Sequence, residues 1–202
     1  MTETKIVLIG GVSGAGKTTL GRALAKKLDA ISLTADDLAL AARAVTTPET
    51  HPDLHRMNIP NAANYFTDST VQKLIDDAEA QHEAVWPAIE RVIQVRSKEK
   101  HSMVIDGWFM HPSWVAALDH PNVHSFWLVA ERHVLYQREQ TLSHMLGKSS
   151  DHDRMLHNFL GRSYWYNDLI NKEATEYNMN ILRQDGTVTL EDLCTKVISQ
   201  LG

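Results

Sequence analysis

Residues Gly11 to Thr18 read GVSGAGKT and satisfy the pattern G-x-x-x-x-G-K-[ST] at every position. Those residue types suit one task. Glycines at positions 11, 14 and 16 let the chain turn its N–H groups inward, with Ser13 and Ala15 supplying two of them, so that the loop becomes a nest for phosphate oxygens. A helix beginning near Lys17 adds the positive end of its dipole. Lys17 has the length to reach the β- and γ-phosphates, Thr18 offers a hydroxyl to Mg²⁺, and Thr19 follows as a further contact. The expected ligands are ATP and Mg²⁺.

Moving a phosphoryl group to an acceptor also needs a carboxylate beside the accepting hydroxyl. The stretch LTADDL carries two, Asp36 and Asp37, at the carboxyl end of a predicted strand, where open α/β sheets bind ligands. One is expected to cap the next helix and the other to act on the acceptor, with Asp36 chosen for the chemistry. Asp106 ends a second apolar strand, MVIDGW, in the Walker B position; it either serves Mg²⁺ or touches the acceptor. Charge developing on the transferred group calls for arginines. Arg132, Arg138, Arg154 and Arg162 flank a turn-like break, and residues 147–153 read as the tip of a mobile lid over residues 138–162. Arg138 and Arg154 are the catalytic choices among them.

Residues 46–67 are polar, hold Pro48, Pro52 and Pro60, and are long for a connection, so they read as an acceptor-binding cover rather than core. His55 and Arg56 are its candidate acceptor contacts. The histidine pairs 51/55 and 152/157 have no cysteine beside them and are not read as a zinc site. The turn Asp185–Val188 is the expected neighbour of the adenine, with Gly186 as a contact. A guanine-reading N-K-x-D is not met: Asn171-Lys172-Glu173-Ala174 lacks the aspartate.

The elements that must hold these residues follow from hydrophobic period. Ile6–Ile9 is a continuous apolar run, which suits a strand covered on both faces. Leu20, Leu24 and Leu28 then recur every four residues, as on a helix. Further strands are expected at 30–34, 102–107, 123–129 and 180–183. Helical spacing covers 38–45, 68–98 (with a new start or a kink at Pro87), 135–146, 155–174 and 189–201. Strands alternating with helices predict one α/β domain over 1–202 with a P-loop NTPase fold: a five-stranded parallel sheet, helices on both faces, a mobile lid and an acceptor-binding subdomain.

The 202 residues are 43% hydrophobic and 22% charged, with a formal net charge of -5. That balance gives no general attraction to nucleic acid or anionic membrane. One cysteine, Cys194, excludes an intrachain disulfide, and the first residues lack the features of a signal peptide. A cytoplasmic monomer or homodimer is expected.

LIGGVSGAGKTTLGRALAKKL, LTADDLALAAR and MVIDGWFMHP together resemble the 2-phosphoglycerate kinase-like group of P-loop kinases, which shares its frame with zeta-toxin-like kinases. The resemblance implies an aspartate at Asp36, an arginine seven residues on at Arg43, an acid at Asp106 and a proline at Pro112. In this chain Ala39 stands where that pattern often has a second arginine, Thr34-Ala35 where it has Ser-Thr, and Asp106 where it has glutamate. The expected function is transfer of the γ-phosphoryl group of ATP to a hydroxyl of a small polar metabolite. The alternatives are a nucleoside or nucleotide kinase, and an ATP-binding regulatory module with little catalysis.

Overall fold

The structure is a computed structural model that describes residues 4–99, 101–118, 120–143 and 148–201. Its elements alternate along the chain. β1 (Ile6–Gly11) leads through the glycine loop to α1 (Lys17–Lys27), then β2 (Ile31–Thr34) and α2 (Ala35–Ala44). Between β2 and β3 also lie α3 (Pro52–His55), α4 (Ala62–Asp68) and α5 (Val71–Arg96). β3 (Met103–Gly107), α6 (Pro112–Ala116), β4 (Val123–Ala130), α7 (Arg132–Ser143), α8 (His152–Glu176), β5 (Asn180–Gln184) and α9 (Leu190–Leu201) complete the chain.

The five strands form one sheet of order β2-β3-β1-β4-β5, and every pairing is parallel. β1 is central, and Ile6, Val7, Leu8 and Ile9 are fully buried, as an apolar run covered on both faces should be. From β1 the chain steps outward to β2; every later strand-to-strand step runs the opposite way across the sheet. Right-handed crossovers therefore put α1 on one face and the remaining crossover helices on the other. The contacts agree: α1 packs with α9, while α8 packs with α4, α5, α6 and α7. The reversal opens a crevice at the carboxyl ends of β1 and β3, where Ile9 pairs with Asp106 and Gly10 with Gly107.

Two sequence expectations change, and one alternative is decided. α2 starts at Ala35, and its cap is Thr34, whose Oγ1 accepts from the Asp36 N–H at 3.2 Å. Neither aspartate caps; both lie in the first turn, where their charge meets the helix dipole. Second, residues 46–67 are not a cover without core. Leu54, Ala63 and Phe66 are buried, because α3 packs on α5 and α4 on α8. The apolar residues that pack there are short pieces, Leu54, Ala62-Ala63 and Tyr65-Phe66, set between prolines and polar residues, too few to show a helical period. Of the two alternatives at Pro87, the single helix is the one found: Pro87 lies inside α5, and no second helix starts there. Among the described residues no helix is long and apolar enough to cross a membrane.

Side-chain amides fix the helices that face the crevice. Asn167 of α8 exchanges two hydrogen bonds with the Ala130 backbone, at 3.0 and 3.1 Å, and pins α8 to the end of β4. Asn158 donates to the Phe66 and Ser69 carbonyls at 2.8 and 2.9 Å, tying the end of α4 to α8.

Candidate active site

The loop between β1 and α1 is built by backbone freedom. Gly14 and Gly16 have φ of 73° and 102°, in the left-handed region that costs glycine little. Gly16 is the N-cap of α1, so the loop's N–H groups and the helix N-terminus converge. Lys17 Nζ donates to the Val12 carbonyl at 2.9 Å, folding back over the loop. Arg138, from α7, donates through Nη1 to the Gly14 and Ala15 carbonyls at 2.9 and 3.2 Å. Two cations thus reach the rim of one phosphate-sized nest.

Thr18 Oγ1 donates to Asp106 Oδ2 at 2.7 Å. The sheet register brings them together, since β3 delivers Asp106 beside Ile9, just before the loop. A hydroxyl and a carboxylate in contact at a strand end are the oxygen donors that a hard divalent cation takes. Asp106 is buried, and desolvation raises its carboxyl above the usual range against the pull of the Thr18 hydrogen bond and Lys17. Desolvation likewise lowers Lys17, while Asp36, Asp106 and Glu139 act to raise it.

A cavity of about 820 Å³ runs along this loop. Its wall combines residues 13–19, Asp36 and Arg138 with Gln137, Thr141, Gln184, Val188, Leu190 and Leu193. The last group mixes amides with aliphatic side chains, and Gln184 and Val188 flank the turn after β5. Gly186 takes φ 93° in that turn and donates its N–H to Gln184 Oε1 at 3.0 Å, while its neighbours Gln184 and Val188 form the wall.

The other sequence candidates are placed differently. Arg43 is in the last turn of α2, two turns from Asp36, and is absent from the wall. His55 Nε2 is 3.0 Å from Thr46 Oγ1, and Arg56 bonds Asp53 Oδ1 at 2.9 Å through Nε and Asp77 Oδ1 at 3.3 Å through Nη1. Both side chains hold their own segment together instead of facing the cavity. Arg154 is exposed near the N-terminus of α8, behind the cap Asp151. Of the predicted lid tip at 147–153, Gly147 lies outside the described residues, while Asp151 is the N-cap of α8 and 152–153 already belong to that helix.

Two further charged residues stand out: Glu139, which has no place among the sequence candidates, and Arg162, which is one of the four lid arginines but not one of the two chosen for catalysis. Glu139 of α7 is fully buried, accepts from Ser163 Oγ at 2.8 Å, and is pushed up to about 7, chiefly by desolvation. Arg162 of α8 is 5% exposed, its guanidinium 4.9 Å from the ring centroids of Phe66, Trp108 and Phe159, and burial lowers it to about 10. Both carry a readable signal. Glu139 falls four residues after buried Leu135, and Arg162 falls between Phe159 and Tyr166, so each is a charge at a core position of a helical period.

A parallel sheet with this order and a phosphate loop after its central strand is a P-loop NTPase-like fold. The chain belongs to the AAA domain family AAA_33, which it matches over residues 6–141. No curated protein matches it. Among solved structures it is similar to a sugar kinase from Janibacter sp. HTCC2649, with TM-score 0.58 and 19% identity over 98% of this chain and 94% of that one. A gluconokinase from Sinorhizobium meliloti 1021 aligns at TM-score 0.56 and 17% identity over 100% and 93%. A shikimate kinase from Bacteroides thetaiotaomicron aligns at TM-score 0.54 and 16% identity over 98% of both chains.

Proposed function

We propose that the chain is an ATP-dependent phosphotransferase that moves the γ-phosphoryl group of ATP to a hydroxyl of a small polar metabolite. The observation that carries this reading is the shared wall: Asp36 lines the same cavity as Lys17 and Thr18. A module that only binds nucleotide has no use for a carboxylate there. The solved relatives named as kinases of sugar, gluconate and shikimate type favour the same class. Within it, the spacing from Asp36 to Arg43 and from Asp106 to Pro112 fits the 2-phosphoglycerate kinase-like group.

The roles follow from placement. The loop N–H groups and Lys17 hold the polyphosphate, and Lys17 exchanges its bond to the Val12 carbonyl for phosphate oxygens. Thr18 and Asp106 fit Mg²⁺, which when bound neutralises charge on the β- and γ-phosphates. Asp36 accepts the proton of the acceptor hydroxyl as its oxygen bonds to the γ-phosphorus, and ADP departs with the bridging electron pair. Arg138, already against the loop, stabilises the charge on the transferred group. The part of the wall that Gln184, Val188 and Leu193 supply suits the base.

The test is a screen of hydroxylated metabolites for ATP-dependent phosphorylation, read by ADP release and by mass of the product. A gain of one phosphoryl group on a small-molecule acceptor is expected. ATP binding without turnover on any acceptor class would instead favour a regulatory module.

A further inference from the structure

Glu139 is set where a carboxylate is costly. It is fully buried, and Oε2 has no hydrogen-bond partner among the described residues, although Oε1 accepts from Ser163. The charged and titratable groups that face it come from two helices: Lys17 from α1, and Arg162 and Tyr164 from α8. On its own helix, Arg138 turns the other way, onto the loop carbonyls. Glu139 is therefore the acid common to two cations, half-buried Lys17 on the phosphate side and buried Arg162 among the rings of Phe66, Trp108 and Phe159.

Resting on the nucleotide-binding reading above, we infer that Glu139 is a positioning residue that takes a proton from solvent onto Oε2 when polyphosphate fills the loop. In the free protein the Ser163 hydrogen bond, Arg162 and then Lys17 favour its ionised form, while desolvation opposes it; the balance leaves it near 7. A bound polyphosphate brings negative charge to this side of the buried carboxylate and cancels the support that Lys17 gives. The carboxylate then gains a proton, and Arg162 loses its counter-charge. Occupation of the loop at α1 thereby raises the net positive charge at Arg162 on α8, which prepares that side for an anionic group. The Glu139–Ser163 bond joins α7 to α8, so the same residue also fixes the spacing of the two helices.

The experiment is calorimetric titration of the protein with the Mg²⁺ complex of a non-hydrolysable ATP analogue at pH 7.5, in two buffers of different ionisation enthalpy. The wild type is expected to take up on the order of half a proton per ligand, and its affinity to fall as pH rises from 6.5 to 8.5. Glu139→Gln, nearly isosteric, should abolish the uptake and flatten the profile. Equal uptake in both proteins overturns the inference, because a purely structural Glu139 leaves proton linkage unchanged. Should Glu139→Gln not fold, Ser163→Ala serves: it removes a hydrogen bond that holds Glu139 down, and must move the midpoint of the pH profile upward. An unmoved midpoint also overturns it. If the analogue binds neither protein, the nucleotide-binding reading itself fails; if it binds without wild-type uptake, only the role of Glu139 fails.

Discussion

At the scale of single residues, the site separates groups that bind from groups that react. Among the described residues the Lys17 ammonium donates to a backbone carbonyl of its own loop, so its removal leaves the core untouched. Lys17→Ala is expected to weaken ATP binding by roughly tenfold or more and to cut turnover by ~10²–10³, with the thermal midpoint almost unchanged. Near-normal turnover in a folded variant would remove the basis of the reading. Asp36 is exposed on the cavity wall and lies in the first turn of α2. Asp36→Asn keeps its shape and its acceptance of hydrogen bonds but cannot take a proton. Turnover should fall ~10²-fold while ATP affinity stays within about twofold. A parallel loss of ATP affinity would place Asp36 with the metal instead.

At the scale of elements, the position of Asp36 depends on how closely α2 approaches β3. A Cβ added at Gly107 would lie 2.4 Å from the Cβ of Ala35, and Ala35 begins α2. Gly107→Ala must push the two apart. A loss of about 2 kcal/mol is expected from overpacking, together with a fall in turnover larger than the fall in ATP affinity. Denaturant midpoints and steady-state kinetics measure the two. The 46–67 segment is held differently, through Asp77 of α5. That carboxylate is buried, and it accepts from Tyr65 Oη at 2.7 Å and Arg56 Nη1 at 3.3 Å, with Lys73 as a third donor. Desolvation alone would raise it, but the three hydrogen bonds together hold it below the usual carboxylate range. Asp77→Ala leaves the Tyr65 hydroxyl and two cations without their acceptor. Because both cations are largely exposed, the cost should be nearer ~2 kcal/mol than that of a fully buried pair. Amide exchange in α3 and α4 should quicken well before that of β1.

At the scale of the whole molecule, buried titratable groups give stability a pH dependence of two opposing signs. His82 is fully buried, its Nδ1 is 3.0 Å from His111 Nε2, and aromatic rings surround the pair. Desolvation lowers both, His111 to about 4, so both are neutral at pH 7. Between pH 6.5 and 4 the unfolded chain binds protons that the folded chain refuses, and stability falls as pH falls. Glu139 acts in reverse. Its folded value near 7 exceeds its ordinary 4.5, so between those limits the folded state binds the extra proton and gains as pH falls. Glu139→Gln removes that gain. The variant should be more stable than the wild type above pH 7, by up to about 3 kcal/mol, and equal to it near pH 4.5. Urea midpoints from pH 4.5 to 8 check the sign; a gap that widens on acidification would be the wrong one.

What could be read from the sequence alone is local. GVSGAGKT needs only its own glycines and the strand and helix on either side, so the phosphate loop was legible residue by residue. The central strand was legible too, because Ile6–Ile9 is apolar on both faces, and the alternation of strands and helices carried the parallel sheet. The meeting of Thr18 with Asp106, 88 residues apart, was foreseen only as a role, and their contact depends on the β1–β3 register. Other features had no local signature at all. His55 and Arg56 are polar residues in a proline-broken stretch, which looks the same whether they face a ligand or hold Thr46, Asp53 and Asp77. The cap of α2 was misplaced for a related reason: Thr34, Asp36 and Asp37 are all capping types, and only the backbone angle at Thr34 selects it. Glu139 and Arg162 show the limit most clearly. A charge at a core position signals that something must compensate it, but the compensating groups come from α1, α4, the turn after β3 and α8, brought together by tertiary packing across the crevice.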